Sequence, residues 1–161
     1  MRNMLLALTM IFTCVNVNAE SVVERNKSLA KNFYQDLWFT NNTEKYTDYV
    51  ADAYVVHDVG PRKGIKEQAI AQKEIADMFH SFGKMTGKID YQIAEDDKVA
   101  TRWLLYFEPN DEAKAKGMTE IDGVAIINVF RFNNEGKIVE FWNHRHDVEL
   151  PRPPEMQSDT P

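Results

Sequence analysis

The residues best able to do acid/base chemistry lie late in the chain, with two more upstream. Four histidines are present: His57, His80, His144 and His146. His144 and His146 follow Trp142 at alternate positions, so an extended strand puts all three on one face. Asn143 and Asp147 take the opposite parity. His57 ends the apolar run Tyr54-Val55-Val56 and stands next to Asp58. Imidazoles titrate near neutrality and can move protons. A His-x-His pair with a distant third histidine could also hold zinc, but no carboxylate stands at a characteristic ligand spacing. No metal and no cofactor is expected. His80, beside Phe79, reads as a helix-face residue. Arg102 interrupts the apolar stretch Val99–Phe107 and shares a strand face with Leu104 and Tyr106. A guanidinium there wants an oxyanion or an internal carboxylate, and Asp122, Glu140 and Asp147 are candidates for the second. Nucleophile elbows, phosphate loops and dinucleotide fingerprints are missing, so covalent and nucleotide chemistry are poorly supported.

These residues need a scaffold, and the hydrophobic pattern supplies one. Apolar residues recur at helical spacing from Ser21 to Phe39, and Thr43 is placed to cap a short second helix through Val50. Tyr54–His57 reads as a strand closed by Gly60-Pro61. A third helix is expected from about Lys66 to Phe82, burying Ile70, Ile75, Met78, Phe79 and Phe82. After Gly87 the period changes to two: Ile89–Ile93, a turn at Asp96-Asp97, Val99–Phe107, a charged loop from Glu108 to Met118, Ile121–Phe132, a turn at Asn133–Gly136, and Lys137–Val148. Helices followed by an antiparallel meander make an α+β domain. Both faces of Gly123–Phe132 are apolar: Ala125, Ile127 and Val129 on one, Val124, Ile126, Phe130 and Phe132 on the other. The last strand sets Ile138 and Trp142 against Val139 and Phe141. Helices cover one sheet face, and a second subunit is the simplest cover for the other, so a homodimer is expected.

Composition narrows the partners. The chain has 161 residues, 43% of them hydrophobic, and a net charge of −6. That is one domain, with an acidic surface unsuited to nucleic acid or to an anionic membrane. Residues 1–19 read as a signal peptide: Arg2, the apolar run Met4–Val15, and small residues at Val17-Asn18-Ala19 before Glu20. The run is too short to span a bilayer. The sole cysteine, Cys14, falls inside it. The expected product is periplasmic or secreted, with a domain over 20–150 and a Pro-rich flexible tail over 151–161.

Asn26–Tyr34, Tyr54–Asp58 with Gly64, and above all Asn128-Val-Phe-Arg-Phe-Asn-Asn-Glu-Gly-Lys-Ile-Val-Glu-Phe-Trp142 resemble SnoaL-like proteins of the nuclear transport factor two-like superfamily. The resemblance runs from about residue 24 to 153. It implies a cone-shaped half-barrel, a curved antiparallel sheet packed against N-terminal helices around a deep apolar pocket, commonly dimeric through the sheet. Its cyclases carry an acid/base aspartate four residues after the last-strand tryptophan, a place taken here by His146 with Asp147 next. Relatives that read His-Trp-Asp correspond to Phe141-Trp142-Asn143.

Three readings follow. The first is cofactor-independent acid/base catalysis (cyclisation, isomerisation or aldol type) on a small carbonyl compound. It uses His146 as base, His57 as second acid/base or orienting group and Arg102 on the enolate oxygen. Trp142, Tyr106, His144 and Asp147 would line the binding site. The second is a non-catalytic module for an apolar ligand, and the third a dimeric interaction protein.

Overall fold

The computed structural model describes residues 21–57 and 64–145. The expected signal peptide over 1–19, Asp58, Gly60-Pro61, His146, Asp147 and the segment 151–161 expected to be a flexible tail fall outside the described residues.

Helix α1 (Val22–Phe33) begins at Ser21, whose hydroxyl accepts from the Glu24 backbone N–H at 3.2 Å. The helical pattern continues to Phe39 as expected, but Tyr34–Phe39 is wound as a π-helix. Thr43 does not act as an N-cap. Its hydroxyl donates across the structure to Asp77, while Thr43–Lys45 forms a 3₁₀ turn leading into the single turn α2 (Tyr46–Tyr49).

Six strands form one sheet in the order β2-β1-β6-β5-β4-β3. Strand β1 (Val50–His57) runs parallel to β6 (Ile138–Arg145) and antiparallel to β2 (Ile65–Gln68). Strands β3 (Gly83–Glu95), β4 (Lys98–Pro109), β5 (Ile121–Phe132) and β6 are a sequential antiparallel meander. The sheet is curved and unclosed, and the helices pack into its concave side. Several boundaries differ from expectation: β1 begins at Val50 and not at Tyr54, and β3 begins at Gly83 and not at Ile89. Ile65–Gln68 alternates half-buried and exposed positions and pairs with β1, so helix α3 starts only at Ile70 and ends at Ser81. The charged loop after β4 contains the short helix α4 (Asp111–Ala115), capped by the Asn110 side chain.

Bulges re-aim the strands. The register between β5 and β6 shifts beside Phe132, so Val139 is passed over and Ile138 falls on the concave side with Phe141, not with Trp142. The core between sheet and helices is aromatic. Phe33 packs edge-on to Phe130 with centroids 5.2 Å apart, and Tyr34 lies between Phe130 at 5.6 Å and Trp103 at 5.3 Å. Each such pair adds about 0.5–1.5 kcal/mol beyond its buried area. Gly87 on β3 admits the π-helix to this core, because a Cβ there would lie 2.1 Å from the Phe39 ring.

Candidate functional site

A cavity of about 560 Å³ lies between the concave sheet face and the helices. Its size suits a small organic molecule. The aromatic wall comes from the first helical unit (Phe33, Tyr34, Trp38) and from Trp103 on β4. Leu105, Val124, Ile126 and Phe141 form the sheet floor, and Ala71, Ile75, Met78 and Phe79 of α3 close it from above.

The behaviour of α3 departs from its amphipathic pattern. Its apolar stripe was expected to be buried, yet Ile70, Ile75 and Met78 are 39%, 40% and 47% exposed. The helix faces the core with Gln72 and Ala76 and turns Ile75, Met78 and Phe79 toward the cavity. Apolar side chains held around open space are what a ligand would cover.

At the cavity wall sits a chain of neutral polar groups. Trp103 Nε1 donates to Asn128 Oδ1 at 2.9 Å, and the Tyr34 hydroxyl donates to the same oxygen at 2.8 Å. An indole N–H can only donate, so it fixes which end of the Asn128 amide is the oxygen. Asn128 Nδ2 must then donate to Asn143 Oδ1, at 2.8 Å. With its oxygen engaged, Asn143 keeps its Nδ2 group for the cavity it lines, since no described residue accepts from it. Asn128 and Asn143 are direct cross-strand partners, which is why two amides 15 residues apart meet.

A second polar group lies along β1 and α3. Gln72 Nε2 donates to the Tyr54 hydroxyl at 2.7 Å, and Glu67 is the cross-strand partner of Tyr54. All three line the cavity. Burial pushes the Tyr54 phenol up to about 12, with the Glu67 charge adding and the Gln72 hydrogen bond opposing. Burial likewise raises Tyr34 well above the ordinary phenol range, against the opposing hydrogen-bond effect of Trp103. Both phenols therefore stay protonated at neutral pH and are not bases.

The residues singled out from the sequence are placed elsewhere. Among the described ones, His57, Arg102, Tyr106, Trp142 and His144 do not line the cavity. Strand parity explains this. Asn143 faces inward beside Asn128, so Trp142 and His144 point to the convex side. There His57 stacks flat on Trp142, centroids 4.5 Å apart, and its Nε2 meets Glu140 Oε2 at 2.9 Å. Glu140 is also paired with Arg131. Burial raises the Glu140 carboxyl, but Arg131 and then His57 more than offset it and hold it below its ordinary value. Arg102 pairs with Asp90, the bulge residue of β3, and not with Asp122 or Glu140. His80 Nε2 contacts the Leu37 carbonyl at 2.9 Å, within the helical layer. His146 and Asp147 lie outside the described residues. Asn128, Asn143, Gln72 and Tyr34 were not singled out as site residues, because neutral amides on apolar strands and helices carry no spacing signal.

An open α+β cone of helices on a curved six-stranded sheet is the nuclear transport factor two-like fold. Within that class the chain belongs to the SnoaL-like polyketide cyclase family, whose model matches residues 28–152. Among solved structures, a proposed polyketide cyclase from Acidithiobacillus ferrooxidans superposes with a TM-score of 0.63 at 20% identity, covering 79% of this chain and 92% of that one. An LEH-like epoxide hydrolase from Mycobacterium tuberculosis gives 0.60 at 13% identity, covering 78% and 85%. An NTF2-like protein of unknown function from Mesorhizobium loti gives 0.58 at 15%, covering 79% and 95%. No curated protein matches the chain. At these identities the likeness is one of fold.

Proposed function

We propose that this chain binds a small, mostly apolar carbonyl compound in the concave cavity, with the ligand oxygen accepting from Asn143 Nδ2. The observation that carries this is the fixed amide chain. Trp103 and Tyr34 orient Asn128, Asn128 orients Asn143, and one neutral donor is left facing an apolar space. The Asn143 Nδ2 group is open to solvent through the cavity, and a ligand acceptor would take the place of water on it among the apolar lining. The supporting features are neutral, so they favour a ketone, aldehyde or ester over an anion.

Acid/base turnover is the same site with a base added. An amide N–H positioned on a carbonyl oxygen is also a donor to the enolate that forms when an adjacent proton leaves. By the family resemblance His146 is the candidate base, and that role requires the strand alternation to break after Arg145, because regular alternation would set it on the convex side with Trp142 and His144. We further propose export to the periplasm or beyond, supported by residues 1–19 and checked by N-terminal sequencing for a start at Glu20. A homodimer through the convex sheet face is proposed on the apolar character of that face.

The test is a binding titration with acetylnaphthalene and ethylnaphthalene, followed by tryptophan fluorescence, since Trp38 and Trp103 line the cavity. The ketone should bind about tenfold more tightly than the hydrocarbon, and Asn143→Ala should erase that ratio. Failure of both probes to bind, or a ratio unchanged in Asn143→Ala, overturns the reading. Mass spectrometry of the recovered ketone reports turnover.

A further inference from the structure

Strand β5 has a stretch with only one described neighbour. Its pairing with β4 runs down to Ile121, opposite Phe107, whereas its pairing with β6 stops at Ile126, opposite Arg145. Among the described residues no strand lies along the β6 side of Ile121–Ala125. Backbone N–H and C=O groups turned to that side need partners, and Ile121, Val124 and Ala125 are half-buried. The chain itself arrives at this edge, because past Arg145 it continues with His146, Asp147 and Val148. Carried on regularly, the register sets His146 opposite Ala125 and Asp147 opposite Val124. Gly123 follows, with φ 79° and a bulge in the β4 ladder beside it, a natural end to regular pairing.

We infer that residues 146–148 dock on this edge and extend β6, bringing the Asp147 carboxylate into the cavity as its proton acceptor. Side chains alternate along a strand, so Asp147, four residues past Asn143, takes the inward face, and His146 goes out with Trp142 and His144. Val124, the partner of Asp147, lines the cavity, as do Asn143 and its own partner Asn128. Glu67 and Glu74 line it too, but from β2 and α3 and not from the strand that carries Asn143. Four residues of strand span about 13 Å. A hydrogen bond from Asn143 to a ketone oxygen, the path from that oxygen to the neighbouring carbon, and a proton-transfer contact take up roughly 8–9 Å of it. The lean of two side chains on a concave face takes up the rest. The carboxylate removes a proton from the carbon beside the carbonyl, and the C–H electron pair becomes the C=C bond. The C=O pair moves onto oxygen, where Asn143 donates, and return of a proton from the carboxyl reverses the step. The base role rests on the cavity holding a carbonyl compound, whereas the docking does not.

Docking is tested by disulfide trapping in the full chain carrying Cys14→Ser, which removes its one native thiol. Val124→Cys with Asp147→Cys, and Ala125→Cys with His146→Cys, are adjacent opposed pairs. One of two adjacent pairs in an antiparallel ladder is the closer, non-hydrogen-bonded kind, and both separations suit a disulfide. At least one pair should bridge under mild oxidation. Val124→Cys with His146→Cys, whose side chains point to opposite faces, should stay reduced. The two opposed pairs share no residue, so a thermal melt that shows one unfolded leaves the other to decide. Bridging of the mismatched combination, or of none, overturns the docking. The base is tested by exchange of the methyl hydrogens of acetylnaphthalene for deuterium in D₂O, read by mass spectrometry. The wild type should accelerate exchange, Asp147→Asn should lose about 10²-fold or more, and Asp147→Glu should recover part of it. Exchange that persists in Asp147→Asn, or is absent from a wild type that binds the ketone, overturns the base role and leaves the binding reading standing. A wild type that neither binds nor exchanges the ketone removes both, and the trapping result still decides the docking.

Discussion

The two faces of the sheet are built from the same strands and solve opposite problems. On the concave face of the central strands, polar atoms are neutral and mutually fixed: Tyr34, Trp103, Asn128 and Asn143 form one hydrogen-bonded chain, while the carboxylates Glu67 and Glu74 line the cavity from β2 and α3. On the convex face, polar atoms are charged and half in water: Arg102 with Asp90, and Arg131 and His57 with Glu140. Neighbouring residues of one strand can differ in this way because side chains alternate sides. A charge taken into the concave space costs far more than an amide, whereas solvent screens the convex pairs and makes each worth little. Neutral groups therefore shape the sheet wall of the cavity, and ion pairs decorate the convex side. The apolar surface differs as well. The concave side keeps its apolar groups around a cavity, while the convex side shows Tyr91 and Ile93 at 50% and 65% exposure on an edge strand.

The largest expected effect comes from removing the concave polar hub. Asn128→Leu strands the Trp103 indole and the Tyr34 hydroxyl without an acceptor, at about 2–5 kcal/mol of stability. Arg102→Gln, on the other face of the adjacent strand, should cost under about 1 kcal/mol. Urea unfolding of both variants compares the faces directly, and equal losses would remove the distinction.

Ile127→Lys tests the apolar half of the convex face. If that face joins two copies, sedimentation velocity should show a dimer for the wild type and a folded monomer for the variant. A wild-type monomer, or a variant that remains dimeric, would end the proposed interface.

The smallest effect is on pH dependence, where the faces should guard opposite limits. Lys98, through its hydrogen bond, holds the Asp97 carboxyl below its ordinary value, and Glu140 is lowered on balance. Groups lowered on folding stabilise above their unfolded values, near pH 4, and that contribution is lost as pH falls through the folded ones. Tyr54 is raised, so its contribution is complete below the ordinary phenol value near 10 and lost as pH rises through about 12. Glu140→Gln should flatten the acid limb of a stability–pH curve by less than about 1 kcal/mol. Tyr54→Phe should flatten the alkaline limb only. A change on the wrong limb in either variant would contradict the assignment.

Much of this architecture is legible from residue order. Period-two patterns locate β3 to β6, Asp96-Asp97 and Asn133–Gly136 mark the turns between them, and the Gly-Lys-Ile-Val-Glu-Phe-Trp stretch carries the family. Helix α3 shows where such reading misleads. Its stripe of Ile75, Met78 and Phe79 has the signature of a buried helix, because periodicity records that one face avoids water without saying what covers it. Lys66–Gln68 fall inside the helix expected from about Lys66, since a strand of only four residues, three of them polar, is decided by pairing with β1 and not by local preference.

The class of fold, the sheet meander and the family follow from hydrophobic period, turn chemistry and a local motif, all of which lie in residue order. Which residues meet at the cavity depends instead on how the strands pack. A strand fixes that Asn143 and Trp142 oppose each other, but not which of them faces the helices. Register and bulges settle that, and they turn Asn128 and Asn143 inward while sending His57, Trp142 and His144 out. Titratable side chains advertise themselves in a sequence, whereas the amides that line this cavity acquire their meaning only from the partners that orient them.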